Sequence, residues 1–383
     1  MKKIVFINQH GSNKGDYAAF QSQLEIISVM HEGVLVNLTV VYNVTKCPFD
    51  IDEYKNIKIT HMIDDTTSKL EKLYYRVATI FDVFNYLSPS KYITDVKLVV
   101  SQADEIYLAN GGANLGVYTD WRYLWRLSIA SVNNNLCSFG NSIGDSKSKL
   151  FDKLKFKVLR KFKSYLVRDL TSQEYLEKHN ISCVPTLDVV YAQTSNLYDS
   201  GEKYDSNSKF VVFTPNELHN WHPDFEGNNL EEEYVRVINK LISRGLHVVL
   251  LPQLFSDNHI SDEKFYLDLV SKCNEPSFCD VIPSDSSIQE QLAVISKCEY
   301  VIGGRYHSLV FALSQDKPVI SLSYESKMSG MMRYFGLDEY SMNVSEFSFE
   351  RLFELTDSLD REDSKFEVSN QAHKVVSKAL SSL

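Results

Sequence analysis

Short runs of branched apolar residues punctuate this chain, and each gives way to a polar loop and then to a stretch with helical spacing. Lys3 to Asn8 reads as a first buried strand, followed by the loop Gln9-His10-Gly11-Ser12-Asn13-Lys14-Gly15-Asp16 and a helix from Tyr17 to about Met30. Val34 to Tyr42 is a second strand by its β-branched residues. Asp50 to Pro89 is less regular, with helical periodicity over Leu70 to Leu87. Glu105 to Ala109 leads into Asn110-Gly111-Gly112-Ala113-Asn114, after which Trp121, Tyr123, Leu124, Trp125 and Leu127 fit a helix. Leu136 to Gly140, followed by Asn141-Ser142-Ile143-Gly144-Asp145, is a third strand-to-loop junction.

Tyr191 to Ser208 is poor in large aliphatic residues and rich in Ser, Asn, Asp and Gly, the composition of a linker. A second series begins at Lys209, with strand Phe210 to Thr214, helix Glu231 to Arg244, strand His247 to Leu251 and helix Glu263 to Cys273. Ser284 to Ile288, with Asp285, reads as the cap of a helix over Gln289 to Ser296. From Cys298 to Lys327 an apolar run, Tyr300 to Ile302, meets Gly303-Gly304, then Arg305 and His307, then the apolar segment Ser308 to Leu313. Glu350 to Leu383 is mostly helical in pattern.

This alternation predicts an α/β protein with two doubly wound parallel-sheet domains facing one another across a cleft. The expected division is 1–190 for the N-terminal domain, 191–208 for the linker and 209–350 for the C-terminal domain, with 351–383 a helical segment that could cross back to the first domain.

Composition narrows the partners. Lys+Arg 40 against Asp+Glu 50, a net charge of −10, argues against a general nucleic-acid binder, so an anionic substrate needs a local positive site. The apolar run after Met1-Lys2-Lys3 is too short for a signal peptide, and no segment approaches about 18 consecutive apolar residues, so a cytoplasmic protein is expected. Cys47, Cys137, Cys183, Cys273, Cys279 and Cys298 include no Cys-x-x-Cys pair, which fits reduced thiols better than disulfides or zinc.

One local shift stands out. Lys147, Lys149, Lys153, Lys155, Lys157, Arg160, Lys161, Lys163 and Arg168 face a single acid, Asp152, while Leu150, Leu154, Val158, Phe162 and Leu166 recur every four residues. The stretch 147–168 is expected to form an amphipathic helix with a basic outer face. It reads either as a solvated lysine face or as a patch for peripheral contact with anionic lipid headgroups.

The Arg305/His307 turn is the strongest chemical signal. In an open α/β sheet, a turn from the carboxyl end of a strand into a helix favours an anion, because backbone N–H groups and the helix dipole point there. Arg305, His307, Lys327 and Arg333 form a cationic group suited to a phosphate plus a carboxylate. No Rossmann three-glycine fingerprint and no Walker loop occurs anywhere. Asn13, Gly15 and Asp16 could bring backbone and a carboxylate to a sugar hydroxyl, or Asp16 could cap the helix at Tyr17. His219, Trp221 and His222, with Asp224, suit a sugar face better than a metal, for want of a defined third ligand. Gln253 to Asp257 is a further loop after a strand, and Asp257 and Asp262 could act on hydroxyls or do nothing. No metal and no cofactor is called for.

These residues resemble the polysaccharide pyruvyl transferases. The family's C-terminal signature is matched by Ser286-Ser287, Leu292 to Ile295, Val301-Ile302-Gly303, Arg305-Tyr306-His307, Phe311-Ala312-Leu313, Pro318-Val319-Ile320 and Tyr324-Glu325-Ser326-Lys327. The Asn13-x-Gly15-Asp16 loop, Gly111-Gly112, Ser142-Ile143-Gly144, Arg168-Asp169 with Ser172, and Asp188 also fall where the family has similar residues. The resemblance implies two Rossmann-like domains in a GT-B-like arrangement. It implies phosphoenolpyruvate as donor and a saccharide hydroxyl pair as acceptor, giving a pyruvate ketal on a cell-surface polysaccharide or its precursor. Carried over, Arg305 and Lys327, with Gly303 and Gly304, hold the donor, His307 transfers a proton, and Asp16 activates the acceptor. Asn13, Gly15, Gly111, Gly112, His219, Trp221 and His222 are the acceptor-side candidates. The Asn141 to Asp145 turn departs from many relatives, and the His219 to Asp224 loop has no evident counterpart, which bears on acceptor specificity. The basic stretch favours a lipid-linked acceptor. The competing readings are a sugar-nucleotide glycosyltransferase on the same scaffold and a non-catalytic saccharide-binding protein of an assembly complex.

Overall fold

The computed structural model describes residues 1–11, 13–43, 51–63, 68–192, 209–220, 230–254, 261–359 and 363–383. The chain divides into two compact units. Unit 1 comprises Met1–Ser12, Asp16–Val190 and Val375–Leu383, and unit 2 comprises Asn13–Gly15 and Tyr191–Lys374. Residues 193–208, most of the expected linker, lie outside the described residues.

In chain order the strands and helices through residue 192 are β1 (Lys2–Gln9), α1 (Lys14–Met30), β2 (Val36–Tyr42), β3 (Glu53–Tyr54), β4 (Ile57–Met62), α2 (Lys69–Ile80), α3 (Lys91–Gln102), β5 (Glu105–Leu108), α4 (Trp121–Ala130), β6 (Leu136–Ser138), α5 (Lys149–Leu159), β7 (Leu166–Val167), α6 (Leu170–Lys178) and β8 (Val184–Pro185). The main sheet runs β3-β4-β2-β1-β5-β6, parallel except where the short β3 pairs antiparallel with β4. Its central strand β1 is buried without alternation from Ile4 to Gln9 because helices cover both faces of such a sheet. Phe6, Tyr107 and Phe139 meet in its core, with Tyr107 stacked on Phe139 at 4.9 Å. Helices α2 to α6 each start on a Ser or Asp (Ser68, Ser90, Asp120, Ser148, Asp169) whose side chain accepts a backbone N–H of the first turn. Each such cap is worth about 1 kcal/mol.

The basic helix is shorter than expected. It starts after the Ser148 cap and ends at Leu159, because Arg160 to Lys163 turn the chain toward β7. Phe151, Val158 and Leu159 form its buried seam, whereas Leu150 faces solvent. Lys155 is fully buried and donates to Leu115 O, Gly144 O, Asp152 and the Tyr175 hydroxyl. Lys147, Lys149, Lys153, Lys157, Arg160, Lys161 and Lys163 are exposed, and Arg168 turns inward.

The remaining elements are β9 (Phe210–Thr214), α7 (Glu231–Ser243), β10 (His247–Leu250), α8 (Asp262–Ser271), β11 (Cys279–Val281), α9 (Ile288–Lys297), β12 (Val301–Gly303), α10 (Tyr306–Leu313), β13 (Val319–Ser323), α11 (Ser326–Tyr334), β14 (Ser341–Asn343), α12 (Phe349–Leu359) and α13 (Ser369–Leu380). The sheet of unit 2 is wholly parallel, in the order β11-β10-β9-β12-β13-β14. Both sheets therefore reverse direction once, between β1 and β5 and between β9 and β12. Crevices at the carboxyl ends of such strand pairs are where open α/β sheets take ligands. The fold is α/β with two doubly wound parallel sheets.

Two caps differ from the sequence expectation. Helix α9 is capped by Ser287, not Asp285, in a reciprocal box with Glu290. Helix α1 begins at Lys14, so Asp16 lies in its first turn and does not cap a helix at Tyr17. Among the described residues, no helix is long and apolar enough to cross a membrane. Cys137, Cys183, Cys273, Cys279 and Cys298 are free thiols.

Candidate active site

At the switch point of unit 2, β12 runs into Gly303-Gly304 and then into α10, with Arg305 at the cap position. Packing dictates both glycines. A Cβ on Gly303 would strike the Leu309 side chain, and one on Gly304 would lie 2.7 Å from Thr214 O. The N–H of Gly304 donates to that same carbonyl (2.9 Å), so it serves the contact with the end of β9. Arg305 is buried and forms an ion pair with Asp262, the first residue of α8. The other Asp262 oxygen accepts the backbone N–H groups of Gln253 (2.9 Å) and Leu254 (2.8 Å), which holds the carboxylate in place. Burial opposes the charge on Arg305, and Asp262, with Tyr324 and Tyr266, more than restores it, leaving its pKa above the ordinary arginine value.

Tyr324 is half-buried, and desolvation is the main cause of its raised pKa, with Lys327 and Arg305 acting against it. Lys327 pairs with Glu325 at 2.7 Å and sits over the Tyr306 ring at 5.8 Å. Arg305 and Lys327, 22 residues apart in sequence, thus flank Tyr306, which follows Arg305 in the chain and lies beneath Lys327. His307, in the first turn of α10, lies edge-on to Tyr306 at 5.1 Å. Gly15 belongs to unit 2 and packs directly on the His307 ring. The neighbouring Asn13 bridges to Leu254, and Lys14 donates through its backbone to Gln253 O and through Nζ to Ser286 O. Burial lowers the Lys14 pKa, against Asp285 and Glu290. Arg333 is exposed on α11.

Unit 1 builds a second polar group at its own switch point. The register of β1 against β2 slips between Ile7 and Gln9, and Asn8 takes a φ of 62°, a left-handed conformation that asparagine tolerates. Its side chain donates to Tyr123 O (3.1 Å) and accepts from Arg126 (3.2 Å), which locks the kink. The next turn lays His10 against the Tyr123 ring, 6.1 Å between centroids and 27° from parallel. Beside it, Asn110 follows β5 and donates to Asp188 (3.2 Å). Arg168, at the end of β7, pairs with Asp188 at 2.5 Å and donates to Ser142 Oγ at 3.1 Å. Asn141 donates to Ala109 O (2.9 Å) and sits beside Gly111. Burial lowers the His10 pKa; Asp16 and Asp120 oppose this, and Arg168 adds to it.

Of the acceptor-side residues expected from sequence, Gly111 borders His10, and Asp16 acts on His10 electrostatically. Gly112 follows in the same loop, whereas Asn13 and Gly15 belong to unit 2. His219 lies half-buried on the turn Leu218–Asn220. Trp221, His222, Asp224 and Asp257 fall outside the described residues. Sequence reasoning considered Asp262 for hydroxyls, whereas it pairs with Arg305, and it passed over His10. A lone histidine in a polar loop carries no spacing signal, and the partner of Arg305 is remote in the chain. Among the described residues, no group of three or more His, Cys, Asp or Glu side chains is placed to hold a metal ion.

Two parallel-sheet α/β units with polar strand-end sites at their switch points are the mark of the GT-B-like class. This chain belongs to the polysaccharide pyruvyl transferase family, which it matches over residues 13–326. It is 22% identical over 275 residues to the amylovoran biosynthesis protein AmsJ of Erwinia amylovora, a match covering 68% of this chain and 66% of that relative, just under two thirds. Its fold is similar to the UDP-GlcNAc 2-epimerase of Methanocaldococcus jannaschii (10% identity, TM-score 0.62, 99% of each chain). It is similar as well to that of Neisseria meningitidis bound to UDP-GlcNAc (12% identity, TM-score 0.60, 100% of each chain). At these identities the likeness is one of fold.

Proposed function

We propose that this chain moves the pyruvyl group of phosphoenolpyruvate onto a saccharide hydroxyl pair, forming a ketal in polysaccharide biosynthesis. The observation that carries the reading is the placement of Lys327 over the ring of Tyr306 (5.8 Å), the residue between Arg305 and His307, at the unit 2 switch point. Phosphoenolpyruvate offers a carboxylate and a phosphate. A buried guanidinium fork and an ammonium group suit those two anions. His307 delivers a proton to the methylene carbon and the carbon bearing phosphate becomes electrophilic; one sugar oxygen adds to it, phosphate leaves, and the second hydroxyl oxygen adds to close the ketal, the two hydroxyl protons replacing the one given to the methyl group and protonating the released phosphate. Asp262 holds the Arg305 fork, while Gly303 lets α10 pack closely on β12 and Gly304 lets the turn approach the end of β9.

Family membership and the relative whose name places it in amylovoran biosynthesis support a polysaccharide product. The exposed lysines of α5 support peripheral contact with an anionic bilayer, which suits a lipid-linked acceptor. Thermal denaturation tests the donor. Stabilisation by phosphoenolpyruvate, and not by UDP or GDP, is expected, together with phosphate release that depends on acceptor. Stabilisation by the nucleotides alone would replace this reading with a sugar-nucleotide transferase, and stabilisation by none of them would favour a non-catalytic saccharide-binding protein.

A further inference from the structure

Helix α2 carries two apolar faces, and the core of unit 1 uses one of them. Tyr74, Tyr75 and Ala78 are buried, and the two rings meet Trp125 at 5.9 and 5.0 Å between centroids. On the outer side, Leu70, Leu73, Val77 and Ile80 fall on one stripe of a helix with 3.6 residues per turn. Leu70 is 78% exposed and Leu73 58%. Phe81, which closes the helix, is 57% exposed, and its N–H donates to Val77 O (2.9 Å). The chain beyond it is pinned. Trp125 donates to Asn85 Oδ1 (3.0 Å), Lys97 to Asn85 O (2.7 Å) and to Leu87 O, and the Tyr74 hydroxyl to Leu87 O (2.9 Å). Tyr86 and Leu87 are therefore displayed to solvent from a fixed turn.

Charge tells what this face meets. Lys69, Lys72 and Arg76 flank the stripe and are exposed. Glu71, the one acid of α2, is buried and accepts the Ser68 hydroxyl (3.0 Å). Asp82, next after Phe81, lies 3.8 Å from Lys157, so the exposed lysines of α5 continue the same surface. A chain of net charge −10 thus gathers its cations beside exposed leucines. Aliphatic side chains bordered by Lys and Arg are the pattern of a helix that lies in the interface of an anionic bilayer. A second copy of the chain would bring the same basic rim against this one, like charge on like charge.

We propose that α2 lies in the plane of an anionic membrane surface, with Leu70, Leu73 and Phe81 sunk into the acyl boundary and the cations of α2 and α5 resting on the lipid headgroups. This builds on the peripheral contact read for α5 and is independent of the pyruvyl-transfer chemistry. What it adds is insertion. Lysines alone stay at the level of the headgroups and let go when salt screens them. A stripe buried about 5–10 Å into the boundary between headgroups and acyl chains holds by its apolar area as well, so part of the binding survives salt.

The test uses the full chain with phosphatidylglycerol vesicles, at low salt and at about 1 M salt, where charge reaches only about 3 Å. The parent is expected to sediment with the vesicles at low salt and to stay partly bound when salt is raised. Leu70→Ser combined with Leu73→Ser is expected to lower the low-salt partition coefficient about tenfold and to abolish the salt-resistant fraction. Its melting temperature should match the parent's, because both side chains face solvent. Leu267→Ser, at a leucine 54% exposed on α8, is the control and should leave both readings unchanged. In Leu73→Trp the added fluorescence is expected to be quenched by phosphatidylglycerol brominated on its acyl chains. Equal partitioning of the parent and the double variant, with all binding lost at 1 M salt, overturns insertion and leaves the α5 contact standing. A parent that does not bind the vesicles overturns both. Light scattering that shows a dimer of the parent, abolished in the double variant, makes α2 an interface between copies and overturns the proposal.

Discussion

Gly15 and His307 claim the same space: a Cβ on Gly15 would fall on the imidazole, against Cγ and Nδ1. These are the inner atoms of the side chain, so the whole ring must swing to admit a methyl group. Gly15→Ala is expected to cost about 1–3 kcal/mol by overpacking and to depress phosphoenolpyruvate turnover as severely as His307→Gln. Gly144→Ala, where nothing lies within 4 Å of the added carbon, is the matched control and should leave both urea midpoint and turnover unchanged.

Asp262 sets the direction of Arg305 and offsets the burial of its charge. Asp262→Ala removes the carboxylate from a buried guanidinium and strands the N–H groups of Gln253 and Leu254. A loss of about 3–5 kcal/mol in denaturant unfolding is expected. Arg305→Lys keeps a charge but loses the fork, so it should abolish stabilisation by phosphoenolpyruvate while unfolding less readily than Asp262→Ala.

The folded state holds the pKa of His10 below its ordinary 6.5, chiefly through burial. Below pH 6.5 the unfolded chain therefore binds a proton that the folded chain refuses, and stability falls as pH drops toward the lowered folded value, then levels off. Urea midpoints measured from pH 7.5 to 4.5 should show this slope in the difference between parent and His10→Gln. A parallel pair of curves would mean that His10 titrates normally.

Much of the unit 2 site was readable because Arg305, His307 and Lys327 lie on one contiguous strand-turn-helix-strand-helix passage, where local pattern and chemistry coincide. Strands such as Phe210–Thr214, buried on both faces, announced themselves as unbroken apolar runs. Ile57–Met62 did not, because only alternate residues are buried and Lys58, Thr60 and His61 disguise the run. The helix over 147–168 was overextended because basic residues continue through the turn at Arg160 to Lys163, and composition does not register a change of direction. His10 could not have been found locally. It depends on the irregularity at Asn8 and on an asparagine more than 100 residues away.

The outer face of α5 makes a separate prediction. Lys157 lies 3.8 Å from Asp82, beside Tyr86, which is 91% exposed, and the exposed Leu87. The parent should co-sediment with phosphatidylglycerol vesicles at low salt and not with phosphatidylcholine vesicles. Reversing Lys153, Lys157 and Lys161 to glutamate should abolish the interaction, and failure of the parent to bind removes the membrane contact.

Residues 375–383 belong to unit 1, where Lys163 donates to Leu383 O (2.8 Å) and Ser164 meets Ser382 (2.8 Å). On the ribosome, then, the first unit waits. Its sheet is synthesised early, yet its closing segment emerges only after unit 2 has been made, so vectorial folding leaves it open at the edge near Cys137 and Ser164 for most of translation. Nascent chains arrested after residue 190 should hand that edge to chaperones, and chains that extend through residue 383 should bury it.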